Sequence, residues 1–249
     1  MTTNEWVIPF YRKQFEWLRD IESDMTSYLQ KDAEKIEEQI GIKFKTMLDI
    51  GAGIGSIARA LDIRGISMTT LELVPDLVEA SRLRSPETID IHMGDFYTYT
   101  FSTQFDVVSY FDGFGIGSDN DQLALLKRMR SWMKDDGFAL IDIYNPNYWR
   151  TIAAGHKMKI DDAERIYSFD EENCRMIDSW WHNKNPDDVV TQSLCCYAVD
   201  EISAMCEKAG LTITGIFPGG AMDFDKWAYT ETAPLSSCLS YRIKLRKTI

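Results

Sequence analysis

Between residues 47 and 144, short apolar runs alternate with stretches in which apolar residues recur every three or four positions. The short runs have the length of buried strands, and they cover residues 47–50, 67–73, 89–93, 105–111 and 138–144. The other stretches have helical spacing, as at 56–61, 75–83 and 119–133. Strands that alternate with helices favour parallel pairing, so the pattern predicts an α/β fold with a doubly wound, mostly parallel sheet.

The two ends of the chain follow different patterns. Residues 4–40 carry aromatic and charged side chains at helical spacing, which predicts one or two helices before the first strand. Turn-rich segments separate three strand-like runs, at 165–169, 175–182 and 189–199. These runs predict a small antiparallel β insert after the fifth strand. A helix at 200–210 and strands at 211–217 and 237–245 complete the predicted elements.

Composition and charge narrow the possible partners. With 249 residues and 45% hydrophobic content, the chain can bury one sizeable core, which favours a single domain over 1–249. The formal net charge of -12 argues against nucleic acid, because binding to a phosphate backbone depends on clustered Lys and Arg. A small molecule is therefore the expected partner.

The cysteines and the apolar runs indicate a cellular location. The cysteines are odd in number and form no Cys-x-x-Cys pair, which suits neither a disulfide framework nor a zinc site; they are Cys174, Cys195, Cys196, Cys206 and Cys238. Nowhere do 18 apolar residues run together, and the N-terminus offers no uninterrupted apolar signal region. We therefore expect a cytoplasmic protein without a membrane span.

A glycine-rich turn follows the first strand. Asp49 ends the apolar run, glycines stand at 51, 53 and 55, and helical spacing resumes at Ile57. Such a turn leaves bare main chain for a ligand, and the helix that follows points its free N–H groups at the same place. A dinucleotide fingerprint would have its third glycine at Ser56, one position later than the observed Gly55.

Asp49, Gly51, Gly53 and Gly55 resemble motif I of the class I S-adenosylmethionine (SAM) dependent methyltransferases, written (D/E)-x-G-x-G-x-G. The resemblance implies SAM as cofactor and S-adenosylhomocysteine as product. It implies a Rossmann-like, seven-stranded sheet, which the last two strands complete as an antiparallel pair. The cofactor-binding residues that it implies are Asp49, Gly51, Ala52, Gly53, Gly55, Glu72, Leu73, Asp95, Phe96 and Phe111.

Individual cofactor roles follow from position and from the resemblance together. Glu72 ends the second strand, where a Rossmann-type fold places an acidic residue on the ribose hydroxyls. The resemblance implies that Leu73 lies beside the adenine. It also implies that Asp95 accepts a hydrogen bond from the adenine amino group and that Phe96 flanks the ring.

The resemblance also divides the chain into parts. Residues 1–45 would form an N-terminal helical lid over the cofactor, and 46–149 the SAM-binding core. The insert at 150–198 would cover the acceptor site, and some related enzymes dimerise through it, so a homodimer is one expectation. Residues 199–249 would complete the sheet.

Candidates for catalysis lie around the predicted acceptor site. Tyr11 and Gln14 share one face of the first helix. Asp112 begins a glycine-rich break after the fourth strand, where it either orients or deprotonates an acceptor or only caps its turn. His182 lies on the middle run of the insert and is the one histidine considered as a base. The catalytic candidates are therefore Tyr11, Asp112 and His182, and no metal is expected.

Aromatic and amide side chains are expected to line the acceptor pocket. The predicted substrate-binding residues are Phe10, Gln14, Phe114, Asn145, Tyr148, Trp149 and Trp180. The segment 145–148 is similar to the Asn-Pro-Pro-Tyr box of amino-methylating DNA enzymes, but it follows the fifth strand instead of the fourth. Together with the acidic charge, this position argues against DNA methylation.

The predicted reaction is an in-line displacement that transfers a methyl group from SAM to a nitrogen, or else an oxygen, of a small metabolite or natural-product intermediate. Proximity and orientation would supply most of the catalysis. Two alternatives remain at this point. A nicotinamide-dependent oxidoreductase would typically carry a Tyr-x-x-x-Lys pair, which the chain lacks. A non-catalytic SAM-binding regulatory protein would bind the cofactor without turnover.

Overall fold

The computed structural model of the protein describes residues 5–18 and 26–248. The predicted lid at 1–45 therefore lies partly outside the described residues. The helices are α1 Val7–Trp17, α2 Thr26–Ile40, α3 Ser56–Asp62, α4 Pro75–Arg84, α5 Asp119–Trp132, α6 Pro146–Tyr148 and α7 Val199–Lys208, with a π-helical turn at Trp149–Ala153. The strands are β1 Thr46–Ile50, β2 Ser67–Glu72, β3 Asp90–Met93, β4 Phe105–Tyr110, β5 Met133–Tyr144, β6 Lys157–Ile160, β7 Ala163–Asp170, β8 Arg175–His182, β9 Asn185–Cys195, β10 Leu211–Pro218, β11 Ala221–Asp223, β12 Ala228–Thr230 and β13 Ser240–Lys247.

A seven-stranded sheet runs through the middle of the fold in the order β10-β13-β5-β4-β1-β2-β3. Its β1 to β5 strands pair in parallel, whereas β13 is antiparallel to both of its neighbours. The strand order reverses between β1 and β4, which is the topological switch point of a doubly wound sheet. This arrangement confirms the predicted α/β fold and its seven strands.

Alternation along the strands divides the core into two layers. Met47 of β1 points to the layer that contains Ile36 of α2 and Leu61 of α3. Its neighbour Leu48 points to the opposite layer, with Leu126 of α5. Because successive side chains of a strand point to opposite faces, a strand with helices on both sides reads as a continuous apolar run.

The fifth strand begins earlier than predicted. The helical spacing extended through Met133, but α5 ends at Trp132 and Met133 is already the first residue of β5. Met133 is fully buried and pairs with Phe105 of β4. Gly137 allows this close approach, because a Cβ there would lie 2.9 Å from the Asp106 carbonyl oxygen. Pairing with β4 therefore ends the helix.

The insert contains four antiparallel strands, in the order β6-β7-β8-β9, where three were predicted. The strand that was missed, β6, alternates exposed lysines with partly buried residues and joins β7 through a turn in which Asp161 has a φ of 51°. A second omission is the β11–β12 hairpin, which lies in a predicted loop. Both elements are short, and strand pairing rather than residue composition determines their extended conformation.

None of the helices among the described residues combines the length and the apolar character needed to cross a membrane.

Candidate functional site

A cavity of about 450 Å³ opens at the carboxyl ends of β1, β2, β3 and β4, and one face of α1 covers it. Every predicted cofactor residue except Gly55 lines this cavity: Asp49, Gly51, Ala52, Gly53, Glu72, Leu73, Asp95, Phe96 and Phe111. Tyr11, Gln14 and Asp112 line it as well. The tertiary structure thus brings residues from four strand ends and the first helix to one site.

The turn after β1 presents bare main chain to the cavity. Gly51 and Gly53 have φ values of 63° and 56°, in the left-handed region that favours glycine. A Cβ at Gly51 would lie 2.8 Å from the Tyr110 ring, whereas a Cβ at Gly53 would meet nothing within 4 Å. The space beside Gly53 is therefore available to a ligand.

Gly55 has a different position from the one predicted. It precedes α3 with a φ of 76°, and a Cβ there would lie 2.5 Å from the Ser81 hydroxyl oxygen of α4. It does not line the cavity. Its lack of a side chain leaves room for the Ser81 side chain beside the start of α3, so the prediction that Gly55 contacts a ligand is not supported by its location.

Glu72 ties the glycine turn to the end of β2. One carboxylate oxygen accepts hydrogen bonds from the backbone N–H groups of Leu73 and Val74, each at 2.8 Å. The other accepts from Gly53 N–H, also at 2.8 Å. Burial raises the pKa of Glu72, and these three hydrogen bonds oppose the rise by stabilising the ionised form.

Asp49 lies at the base of the same cavity and is almost fully buried. Its carboxylate accepts a hydrogen bond from the Ser109 hydroxyl at 2.6 Å. Burial raises the pKa of Asp49 to about 7, while the Ser109 hydrogen bond and the charge of Arg242 oppose the rise. A cationic ligand in this cavity would favour the ionised form of Asp49.

Asp95 and Phe96 form the far wall of the cavity after β3. The Asp95 carboxylate accepts from the backbone N–H of Tyr97 at 2.8 Å, and Phe96 packs against Tyr110 with 5.2 Å between ring centroids. On the opposite side, the Phe111 ring packs under the Arg242 guanidinium, 4.2 Å from its centroid. The walls of the cavity therefore include aromatic side chains that pack on other parts of the protein.

Asp112 lies directly after β4, next to the glycine turn. Its φ of 51° is unusual for a residue with a side chain, and the Tyr144 hydroxyl donates a hydrogen bond to its carboxylate. Asp112 has accessible surface and lines the cavity. The protein around the cavity limits hydration of its carboxylate, and this desolvation raises the pKa of Asp112 to about 6 although the Tyr144 hydrogen bond opposes the rise. A pKa of about 6 leaves Asp112 mostly ionised at neutral pH.

The hydroxyl of Tyr11 connects the cavity to the insert. It donates to the side-chain carbonyl of Gln192 at 3.4 Å, and the Gln192 amide donates to Asp178 at 3.2 Å. The sequence interpretation missed Gln192 and Asp178, and also Tyr110 and Tyr144. Asp178 shares its strand face with Trp180, so a carboxylate among alternating apolar residues was the signal that could have identified it.

His182 lies away from the cavity. It contributes to a separate depression between α1 and the turns of the insert, where its ring is 6.2 Å from the Trp17 ring and its Nδ1 accepts from Lys184 N–H. Alternation along β8 places His182 on the same face as Trp180, but His182 is the last residue of the strand and lies beyond the cavity. The position of His182 therefore does not support its prediction as the base.

The remaining predicted substrate residues are packed inside the protein and do not line the cavity. Phe10 and Trp180 pack together between α1 and the insert, and Phe114 belongs to the main core. Asn145 donates to the Leu235 carbonyl, and Trp149 donates to the Leu239 carbonyl. The last of the set, Tyr148, is fully buried and accepts from Met222 N–H.

These positions differ from those that the sequence analysis predicted, and for the aromatic residues the physical reason is the same. A large apolar side chain is stabilised equally by a core and by a pocket wall, so its identity does not distinguish the two. Among the predicted substrate residues, only Gln14 lines the cavity.

All the charged side chains among the described lining residues of the cavity are acidic. Four carboxylates line it, from Asp49, Glu72, Asp95 and Asp112, and none of the described lining residues is Lys, Arg or His. Within 5–18 and 26–248, no group of three or more His, Cys, Asp or Glu side chains is arranged to hold a metal ion. The cavity therefore suits organic cations.

Comparison with known proteins adds an independent observation. A family model described as "Methyltransferase domain" matches residues 19–215. No match was found among curated protein sequences.

The fold also resembles solved structures. The CcbJ methyltransferase from Streptomyces caelestis aligns with a TM-score of 0.72 at 15% identity, over 89% of this chain and 90% of that chain. An S-adenosylmethionine-dependent methyltransferase from Clostridium acetobutylicum ATCC 824 gives 0.71 at 12% identity, over 96% and 99%. SAM-bound CalS10 from Micromonospora echinaspora, an amino pentose methyltransferase involved in calicheamicin biosynthesis, gives 0.62 at 16%, over 90% and 92%. At such identities the likeness establishes the fold alone.

Proposed function

The chain belongs to the methyltransferase-domain family, and from this premise we propose that it transfers the methyl group of SAM to a nitrogen of a small-molecule amine. The protein is an enzyme with SAM as its cofactor and S-adenosylhomocysteine as its product. Because the chain belongs to this family, we no longer propose a nicotinamide-dependent oxidoreductase or a non-catalytic SAM-binding regulatory protein. Transfer to an oxygen is the remaining alternative.

The residues around the cavity fit the cofactor. The open space beside Gly53 can take the amino-acid and ribose part against bare main chain. Glu72 and Asp95 would accept hydrogen bonds from the ribose hydroxyls and the adenine amino group, with Leu73 and Phe96 beside the ring. Asp49 would orient the cationic amino-acid end. When bound, SAM supplies a methyl group made electrophilic by the sulfonium centre.

The single observation that supports an amine acceptor is the charge of the cavity. Of the four carboxylates that line the cavity, three are assigned above to the cofactor, and Asp112 remains on the acceptor side. Because none of the described lining residues is basic, this carboxylate favours a cationic acceptor and disfavours a carboxylate or phosphate. An amine reaches the site mostly as an ammonium, which must lose a proton before its lone pair can attack. A positioned base is therefore useful for an amine, and an anionic wall attracts the substrate before that step.

Asp112 is the group that we assign as this base. It lines the cavity, Tyr144 orients its carboxylate, and its pKa of about 6 leaves it able to accept a proton at neutral pH. The face of α1 that carries Tyr11 and Gln14 closes the site and excludes water. Holding the acceptor in line at near-attack distance can supply on the order of 7 to 11 kcal/mol of the barrier.

The test is a methyl-transfer assay with SAM across a panel of amines, phenols and carboxylates of similar size. We expect turnover with amines, weaker turnover with phenols and none with carboxylates. Titration calorimetry with SAM, and with NADH as the control, reports binding separately from turnover. Turnover confined to phenols or carboxylates would contradict the amine assignment, and absence of SAM binding would contradict the whole proposal.

Localisation and assembly extend the proposal. We infer a cytoplasmic enzyme that does not bind nucleic acid, because the net charge is -12 and the cysteines suit a reducing compartment. We also propose a homodimer formed through the insert. Light scattering after size exclusion should give twice the monomer mass, and a monomeric mass at micromolar concentration would rule out a stable dimer. Retention on a DNA column at physiological salt would contradict the exclusion of nucleic acid.

A further inference from the structure

A buried hydrogen-bond network connects the insert to the hydroxyl of Tyr11. Asp178 of β8 and Gln192 of β9 are cross-strand partners, and both side chains are buried beneath α1. Gln192 donates to Asp178 and accepts from Tyr11, which lines the cavity. Residues 181 positions apart in the sequence thus meet behind the acceptor side of the site.

Asp178 acts only as an acceptor in this network. The Arg165 guanidinium donates to both of its carboxylate oxygens, and the Trp180 indole N–H donates to one of them at 2.8 Å. The guanidinium also packs on the rings of Tyr167 and Trp180, 4.4 Å from each centroid. The charge of the buried carboxylate is therefore compensated, and its position is fixed by more than one donor.

The acceptor role of Asp178 determines the orientation of the Gln192 amide. A carboxylate that only accepts requires a donor opposite it, so Gln192 must turn its NH₂ group toward Asp178. Its carbonyl oxygen then faces Tyr11 and can only accept. Tyr11 must consequently use its single O–H proton for Gln192, and its oxygen lone pairs remain for the cavity.

We propose that Asp178 and Gln192 are positioning residues that make Tyr11 a hydrogen-bond acceptor toward the substrate amine. This inference rests on the proposed function. A phenol that donated its proton into the cavity would bind the lone pair of the amine and suppress its attack. A phenol that accepts takes an N–H of the amine instead and leaves the lone pair free for the methyl carbon.

The chemistry of the acceptor follows from the same geometry. The acceptor must retain an N–H after Asp112 has removed a proton from its ammonium form, so the preferred substrates are primary and secondary amines. A tertiary amine has no N–H to donate to Tyr11. The Tyr11–Gln192 separation of 3.4 Å is long for an O–H···O bond, as is common in catalytic sites before the substrate binds.

The test uses Gln192→Met, because Asp178→Asn would remove the partner of the Arg165 charge and could unfold the insert. Gln192→Met leaves the Asp178–Arg165 pair and the Trp180 bond in place. We expect kcat for a secondary amine to fall about tenfold, the magnitude of one hydrogen bond, with unchanged affinity for SAM. The preference for secondary over tertiary amines should fall by a similar factor.

A double-mutant cycle distinguishes positioning from a structural role. In the Tyr11→Phe background, Gln192→Met should have no further effect on kcat, because the hydroxyl that it orients is absent. The matched control is Thr191→Val, which removes the 2.9 Å hydroxyl contact with Ser179 on the other face of the same strand pair. We expect this control to retain wild-type kcat.

The outcomes separate this inference from the proposed function. If the wild-type protein binds no SAM or methylates no amine, the proposed function fails, and this inference fails with it. If the wild type is active, additive losses in the cycle, an equal loss in Thr191→Val or an unchanged kcat in folded Gln192→Met would overturn the positioning role alone. Thermal melting of each variant establishes that it is folded.

Discussion

Replacing Glu72 with glutamine tests the cofactor site at the side chain that links the glycine turn to β2. One Glu72 oxygen accepts from Leu73 and Val74, and the glutamine carbonyl can keep both bonds. The other oxygen accepts from Gly53 N–H at 2.8 Å. In glutamine this atom becomes an NH₂ group, so two donors would face each other and the turn would lose its anchor.

The Glu72→Gln substitution is expected to lower both the thermal stability and the affinity for SAM, but by different amounts. Losing a hydrogen bond to a charged group costs about 1.5 to 3 kcal/mol. In the ligand-free protein, part of that cost is recovered, because burial raises the pKa of Glu72 and a neutral amide avoids the cost of burying a charge. With the cofactor bound, the ribose hydroxyls also lose a charged acceptor. We therefore expect a melting temperature lower by only about 2 to 4 °C, but a SAM affinity lower by about tenfold to a hundredfold.

Titration calorimetry with SAM and with S-adenosylhomocysteine measures the affinity, and thermal melting without ligand measures the stability. Glu79→Gln is the matched control, because Glu79 is an exposed carboxylate on α4, the helix that follows β2, and it does not line the cavity. It should change neither quantity. Wild-type affinity in a folded Glu72→Gln variant would refute the ribose assignment and with it the location of the cofactor.

Three further perturbations test the base, the buried carboxylate and the packing beside Gly55. Because the pKa of Asp112 is raised to about 6, the wild-type rate should fall as the pH drops below that value; Asp112→Asn should lower kcat about a hundredfold and abolish this limb, and an unchanged pH profile would exclude Asp112 as the base. Burial raises the pKa of Asp49 from 3.8 to about 7, so its contribution to stability is present below pH 3.8 and is lost as the pH rises through about 7. Thermal melts across this range should show a flatter decline for Asp49→Asn than for the wild-type protein, and parallel curves would count against the shift. Gly55→Ala should lower the free energy of unfolding by about 1 to 3 kcal/mol more than Gly65→Ala, because both have positive φ but only Gly55 would clash with Ser81; equal losses in denaturant titrations would argue against close packing at Gly55.

The sequence predicted the sheet from local spacing, and the resemblance to motif I, which is itself a local pattern, implied which residues meet at the cavity after β1. The apolar run from Met47, the glycines at 51 and 53 and the carboxylate of Glu72 lie within one strand–helix–strand unit, whose handedness and connections are strongly restricted. A short segment therefore contained nearly all the information about which residues would surround the turn. Gly55 was the exception, because its neighbour Ser81 comes from the next helix.

The acceptor side could not be predicted in the same way. Aromatic residues such as Trp149 and Trp180 are equally consistent with a core and with a pocket wall, and the structure packs both in the interior. The fourth strand of the insert, β6, was missed because its pairing with β7 decides its conformation. A shift of one residue in such a pairing would send every side chain to the opposite face.

What the amino-acid order determined by itself is the α/β fold and a ligand-binding turn, since periodicity and glycine spacing act between residues close in the chain. Only the tertiary structure decided that Tyr11 reaches Gln192 and Asp178 of the insert, and that His182 lies in a separate depression. Those contacts join α1 and the insert, and they depend on the register of β8 and β9 and on how α1 packs over them. Long-range packing of this kind leaves no periodic signal in a single sequence.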